Sequence, residues 1–295
     1  MVFETTLQRP AGVEGVGLHS GAPVSMRILP APSGSGVVFR RPDLDDFTIP
    51  AVWKYVARVS YATSLMRQGV LLSTTEHLLS VLYAMGIDNV VIEMDNLEVP
   101  IVDGSGKPFI ELLKQAGRKR LRAQRKYLRI VREVEVRDGD KRITISPWNG
   151  FRLECETNFG HPAVGRQRVE LEVTPEAYAR ELAPARTFGF ERDLEQMREM
   201  GLIRGADLTN AVCFGPDGPL NPGGLRFPDE PCRHKALDLI GDLALIGRPL
   251  LARVIAERAG HAMHAALVKQ IVSDPASFEI VAADEVFAVQ AASGA

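Results

Sequence analysis

The stretch RHKALDLIGD, residues 233–242, constrains the fold of this chain more than any other. Ala236, Leu237, Leu239 and Ile240, with Leu243 and Ala244 just beyond, cover most of the circumference of a helix. A helix that apolar must be buried over most of its surface. Yet His234, Asp238 and Asp242 follow one another in steps of four. Each residue turns a helix by about 100°, so steps of four drift by only about 40° and the three share one stripe. Lys235 lies beside Asp242 on that side. Buried His and Asp groups are costly unless each is paired or bound to a metal. The plainer alternative is a surface stripe held by a His–Asp i,i+4 pair.

The chain has 295 residues, enough for two domains of ordinary size. With 45% hydrophobic and 24% charged residues it has the composition of a globular protein. A net charge of −2 offers no global attraction for nucleic acid. Cys155, Cys213 and Cys232 are scattered, odd in number and form no CxxC. Neither a disulfide framework nor a thiolate zinc site is expected, and a reducing cytoplasm fits. The start, MVFETTLQRP, lacks the basic and apolar regions of a secretory signal. No apolar run of eighteen residues predicts a membrane span. No internal repeat is visible.

The pattern along the chain predicts an α+β protein. TTLQR, VSMRIL, GVVFRR, IPAVWKYV and VSYATSLM read as extended segments between Gly and Pro clusters. STTEHLLSVLYAMG has helical spacing and closes at Gly86; NVVIEMD reads as a buried strand; GSGKPFIELLKQAG reads as a second helix, ending at Gly117. The basic run GRKRLRAQRK, residues 117–126, reads as a solvated linker at a domain boundary. No aromatic residues interleave its charges, which weakens a phosphate-binding reading. The second half repeats the order. KYLRIVREVEVRD, KRITISP, FRLECETN and QRVELEV are extended, and PEAYAREL, FERDLEQMREMG and residues 231–246 are helical. LLARVIAERA reads as a buried strand and HAMHAALVKQIVS as a helix. The expected domains are 1–120 and 126–285, each with helices packed on a mostly antiparallel sheet, followed by a disordered tail at 286–295.

Four of the six histidines stand in chemically suggestive places. Ser73 followed by Glu76 matches a capping box, which gives Glu76 a plain backbone role. His77 has a plain role too, as a core histidine. Taken with His234 and Asp238, however, His77 completes a two-His, one-carboxylate set. Catalytic zinc takes three protein ligands of this kind and leaves one position open; iron(II) accepts the same donors. Glu76, adjacent to His77, could reach a metal-bound water without binding the metal. His261 follows Gly260 at a helix start, where the dipole disfavours an imidazolium. A catalytic acid there needs a carboxylate to hold its proton, and Asp242 is the candidate. His264, one turn later, reads as a surface residue. Thr187 in ARTFGF is placed either to stabilise an oxyanion or to pack as a strand threonine among core phenylalanines.

Nine blocks then occur in order: GVGLHSG, STTEHLL, GIDNVVIE, VPIVDGSGKPFI, NFGHPA, ARTFGF, NPGGLRF, RHKALDLIGDL and GHAMHAAL. Together they resemble the zinc-dependent UDP-3-O-acyl-N-acetylglucosamine deacetylases of lipid A synthesis, the LpxC family, over about residues 5–271. The resemblance implies hydrolysis of the acetamide of UDP-3-O-(3-hydroxyacyl)-N-acetylglucosamine to acetate and a free amine. It implies zinc on His77, His234 and Asp238, with Glu76 as general base, His261 as general acid and Asp242 orienting that acid. It places Thr187 at the oxyanion, Lys235 near the substrate's diphosphate and Phe159 at the uridine end. Phe188 and Phe190 fall in the segment, from 188 to about 213, that would form an apolar passage for the acyl chain. It also implies two domains of similar topology, each a β-α-α-β sandwich. The expected partner is the UDP-linked acylated glucosamine, with no nucleic acid and no stable membrane insertion, for a cytoplasmic monomer. Two other readings compete. One is a zinc amidohydrolase acting on another N-acyl sugar or a peptide. The other is a nucleotide-sugar-binding regulator with a structural metal. Structural zinc is usually closed by four protein ligands, and no fourth is evident.

Overall fold

The computed structural model describes residues 2–286 of a mixed α+β protein. The tail expected to be disordered lies, from residue 287 onward, outside the described residues. In the first half, β1 (Ala11–Val16), β2 (Pro23–Pro30), β3 (Val37–Arg41), β4 (Phe47–Pro50) and β5 (Val90–Met94) form one sheet. Its order is β1-β2-β5-β3-β4. The β3–β5 pair is parallel and the others are antiparallel. Strand periodicity explains the buried face: Val24, Met26 and Ile28 point inward along β2 while Ser25 and Arg27 point out.

The second half builds its sheet on the same plan. Here β6 (Val134–Asp138), β7 (Lys141–Ser146), β8 (Phe151–Asn158), β9 (Arg166–Glu172) and β10 (Leu250–Glu257) take the order β6-β7-β10-β8-β9. Again the third-to-fifth pair, β8–β10, is parallel and the others are antiparallel. Two further strands, Lys126–Ile130 and Phe278–Ala282, extend this sheet beyond β10.

The described helices are α1 (Glu76–Ala84), α2 (Lys107–Ala116), α3 (Pro175–Glu181), α4 (Leu194–Glu199), α5 (Glu230–Leu243) and α6 (His261–Ser273), with a few short turns. No helix among the described residues is long and apolar enough to cross a membrane. In α1 every residue except Tyr83 is buried, and in α5 only Arg233 and Lys235 escape burial. Helices apolar all round belong at the centre, and α1 and α5 pack directly on each other. One continuous core runs from Met26 and Phe39 through Leu78 and Leu237 to Ile143 and Leu153.

Gly241 permits the close crossing of α1 and α5. A Cβ built there would lie 2.0 Å from the carbonyl oxygen of Glu76. Two backbones meet at that point, so no side-chain rotation relieves the clash. Gly241→Ala is expected to force the helices apart and to cost about 1–3 kcal/mol, the usual range for overpacking. A melting temperature lowered by several degrees in a thermal scan is the expected result. An unchanged melting temperature would mean the crossing is softer than its geometry.

Three extended or linker segments differ from expectation. Residues Arg118–Gln124 of the basic run form a strand, paired antiparallel with Phe3–Leu7, rather than a free linker. The exposure of Arg118, Lys119, Arg120 and Arg122 suits a charged edge strand, and Arg120 covers the Phe3 ring at 3.9 Å. IPAVWKYV is strand only at its two ends and turns through a 3₁₀ helix at Trp53–Tyr55 between them. VSYATSLM becomes a strand only from Ser64, and Tyr61 takes a left-handed φ of 66°. That irregular loop delivers Thr63 to the site described next.

Candidate active site

The polar stripe of α5 is buried. His234, Asp238 and Asp242 are each at most 2% exposed, which removes the surface-stripe alternative. Across the crossing at Gly241, the first turn of α1 presents Glu76 and His77, both buried. The Nε2 atoms of His234 and His77 lie 3.3 and 3.5 Å from Asp238 Oδ1. The two imidazole rings stand edge to face, with centroids 4.7 Å apart.

This arrangement asks for a cation. His234 Nδ1 is 3.1 Å from the carbonyl oxygen of Ala185, which can only accept, so the ring proton belongs on Nδ1. Its Nε2 then turns a bare lone pair toward Asp238 Oδ1. That carboxylate oxygen is buried and accepts no hydrogen bond among the described residues. Burial pushes the His234 pKa down to about 3, against the pull of Asp238, so the ring is neutral. Burial alone would raise the Asp238 pKa, but the neighbouring His234 and the Lys235 ammonium hold it well below the ordinary value. Two imidazoles and an ionised carboxylate, with ligand atoms all within 4.8 Å of one another, form a divalent-metal donor set.

A proton-handling group flanks this set. His261, at the start of α6, places Nδ1 2.7 Å from Asp242 Oδ2. Its Nε2 faces inward, 4.0 Å from Glu76 Oε1 and 3.8 Å from Asp238 Oδ2. Burial lowers the affinity of His261 for its proton, but Asp242, then Glu76 and Asp238, outweigh it and raise the pKa to about 9. Asp242 is held at about 2: burial opposes ionisation, while His261 and His264 favour it. Burial raises the Glu76 pKa, despite the opposing charge of His261. A buried carboxylate with raised proton affinity, beside an imidazolium, is an acid–base pair in waiting.

Several groups are placed differently from the sequence reading. Glu76 does not close a capping box: its Oε2 accepts from the backbone N–H of Thr63 at 3.0 Å, and Ser73 Oγ pairs with Ser64. The helix starts too late for the box, with Thr75 at its N-cap and no side-chain cap. His264 is not a surface residue. It is 2% exposed, because α6 turns it inward onto Asp242, 2.7 Å from Oδ2. Lys235, on the same side of α5 as expected, donates to Asp238 Oδ2 at 2.8 Å.

A cavity of about 630 Å³ opens beside these groups. Thr187, Phe188, Lys235 and His261 share its wall with Leu194 and Met197. Lys235 Nζ lies 5.8 Å from the centre of the Phe188 ring. Phe159 and Phe190 pack behind Phe188 at 5.0 and 6.0 Å, and Phe190 is buried in a small second core with Val212 and Phe214. Two residues given no role from the sequence also reach the site. Thr63 donates its hydroxyl to Asp242 Oδ1 at 2.6 Å. His19, in GVGLHSG, lines the cavity, and its ring nitrogens have no hydrogen-bond partner among the described residues. Nothing in the spacing around Thr63 marks it; the GVGLHSG block was the available signal for His19.

Comparison with known proteins bears on the whole chain. A family model described as UDP-3-O-acyl N-acetylglycosamine deacetylase matches residues 4–273. A UDP-3-O-acyl-N-acetylglucosamine deacetylase of Solibacter usitatus (strain Ellin6076) is 68% identical over 285 residues, covering 97% of this chain and 96% of that one. One from Myxococcus xanthus (strain DK1622) is 47% identical, covering 95% and 90%. One from Syntrophotalea carbinolica is 40% identical, covering 97% and 93%.

Proposed function

The chain belongs to the UDP-3-O-acyl-N-acetylglucosamine deacetylase family, and we propose that it performs this hydrolysis with zinc held by His77, His234 and Asp238. It is a hydrolase of lipid A biosynthesis. The observation that carries the metal assignment is the orphaned Asp238 Oδ1 facing two imidazole nitrogens. When bound there, zinc supplies Lewis acidity, polarising the acetamide carbonyl and lowering the pKa of water toward roughly 7.

The chain's own residues do the rest. Glu76 accepts the proton of the water that attacks the acetamide carbon; burial favours its taking that proton. Thr187, on the cavity wall, donates its hydroxyl to the tetrahedral oxyanion. His261 gives the Nε2 proton to the sugar nitrogen as the C–N bond breaks, because an amide nitrogen leaves poorly as an anion. Acetate and the free amine result. Asp242 holds His261 through Nδ1, so Nε2 is the nitrogen that acts. Lys235 pairs with Asp238 Oδ2 and also lines the cavity, where its ammonium can meet the diphosphate. Phe188, backed by Phe159 and Phe190, forms part of an apolar wall for the acyl chain.

The proposal includes two domains, 1–120 and 126–285, of one topology. The shared strand order and pairing sense support it. A crystal structure whose halves fail to superpose over those strands and their helices would overturn it. A cytoplasmic location is supported by three free cysteines; a disulfide found in the native enzyme would count against it.

The direct test is acetate release from UDP-3-O-(3-hydroxyacyl)-N-acetylglucosamine before chelation, after it, and after zinc is restored. Activity that vanishes and returns is expected, with much weaker turnover of the sugar lacking the acyl chain. Equal turnover of both sugars would remove the apolar wall from the account. No turnover by the folded, zinc-restored protein would remove the zinc-hydrolase mechanism.

A further inference from the structure

We infer that His264 is a positioning residue for the general acid: it shares Asp242 with His261 and fixes the carboxylate on which that acid depends. The inference rests on the reading of His261 as the acid. His261 and His264 stand three residues apart in the first turn of α6 and reach the last turn of α5. Each Nδ1 lies 2.7 Å from the same oxygen, Asp242 Oδ2. An ionised carboxylate only accepts, so both rings present Nδ1–H to it. Thr63 Oγ1 donates to Oδ1 from the other side at 2.6 Å.

One consequence follows for His261. A carboxylate with one donor can rotate and offer either oxygen. Three donors, from α6 twice and from the Thr63 loop, pin Asp242 in one orientation and so aim His261 Nε2 between Glu76 and Asp238. The His264 side chain itself reaches neither Glu76 nor the metal donors; its hydrogen-bond partner among the described residues is Asp242. At 2% exposed, it is closed off from bulk solvent. Its effect belongs to the proton-transfer step, not to substrate binding.

The test uses the full, zinc-loaded enzyme, with metal content and melting temperature recorded for every variant. His264→Phe keeps a ring and removes the donor. It is expected to lower kcat about 10-fold, the scale of one hydrogen bond to a charged group, with KM changed less than about twofold. His264→Asn puts an amide N–H where Nδ1 stood and should restore most of kcat. His264→Gln displaces that N–H and should not. In a His261→Ala background, His264→Phe should cost less than about twofold more, because the two act as a unit. An unchanged kcat in His264→Phe, Asn no better than Gln, or equal losses on both backgrounds would overturn the inference. If the Phe variant does not fold, the contrast between Asn and Gln decides. Wild-type kcat in His261→Ala would overturn the acid assignment and this inference together. Loss there with none in His264→Phe overturns the inference alone.

Discussion

His261→Ala and Glu76→Ala are each expected to lower kcat by at least about 10²-fold while the metal stays bound. Neither residue belongs to the donor set, yet their functional atoms lie 4.0 Å apart beside it. In the proposed mechanism the attacking water and the leaving nitrogen are both served by these two groups. Removing His261 deprives the leaving amine of its proton. Removing Glu76 leaves the attacking water with no buried base. The loss should fall on kcat and on kcat/KM equally, because both interactions are made only in the transition state. Steady-state acetate release with metal content measured in parallel is the check. Near-normal turnover in both variants, with zinc present, would show that other groups move the protons.

His234→Ala and Asp238→Ala are expected to weaken zinc binding by at least about 100-fold. Even partners that only orient a ligand commonly cost 10–100-fold, so loss of a ligand should cost no less. Competition with a chromophoric chelator reads this directly. A second readout is thermal. A ligand at about 100 times its Kd stabilises the native state by about 2.7 kcal/mol, and the variants should lose the zinc-dependent rise in melting temperature. Asp238→Ala also strips Lys235 of its partner at 2.8 Å, so its apo form should melt lower than that of His234→Ala. Full occupancy in both variants would remove these residues as ligands.

Much of the site was legible because it is local. The α5 stripe follows from helical periodicity alone, and the burial of that helix follows from its apolar circumference. The helix that carries Glu76 and His77 was equally readable, as were β2, β5 and β10. His264 was misread because one isolated histidine carries no periodic signal of which way its helix faces. That direction is set by α5, which presents Asp242 to it. The 117–126 run was misread as a linker because charge density looks the same on an edge strand as on a loop. Its partner, Phe3–Leu7, lies more than a hundred residues away.

By itself the sequence determined the donor types, the i,i+4 spacing of His234, Asp238 and Asp242, and the family to which the chain belongs. Those are properties of adjacent turns and of ordered blocks, and they need no fold to be stated. Only the tertiary structure decided that α1 crosses α5 at Gly241, close enough for His77 to meet Asp238. Only it brought Thr63, His261 and His264 onto one carboxylate. The repeated strand order was hidden for the same reason. Sheet order depends on which distant segments bury their apolar faces against each other, and many different side chains satisfy that requirement equally well.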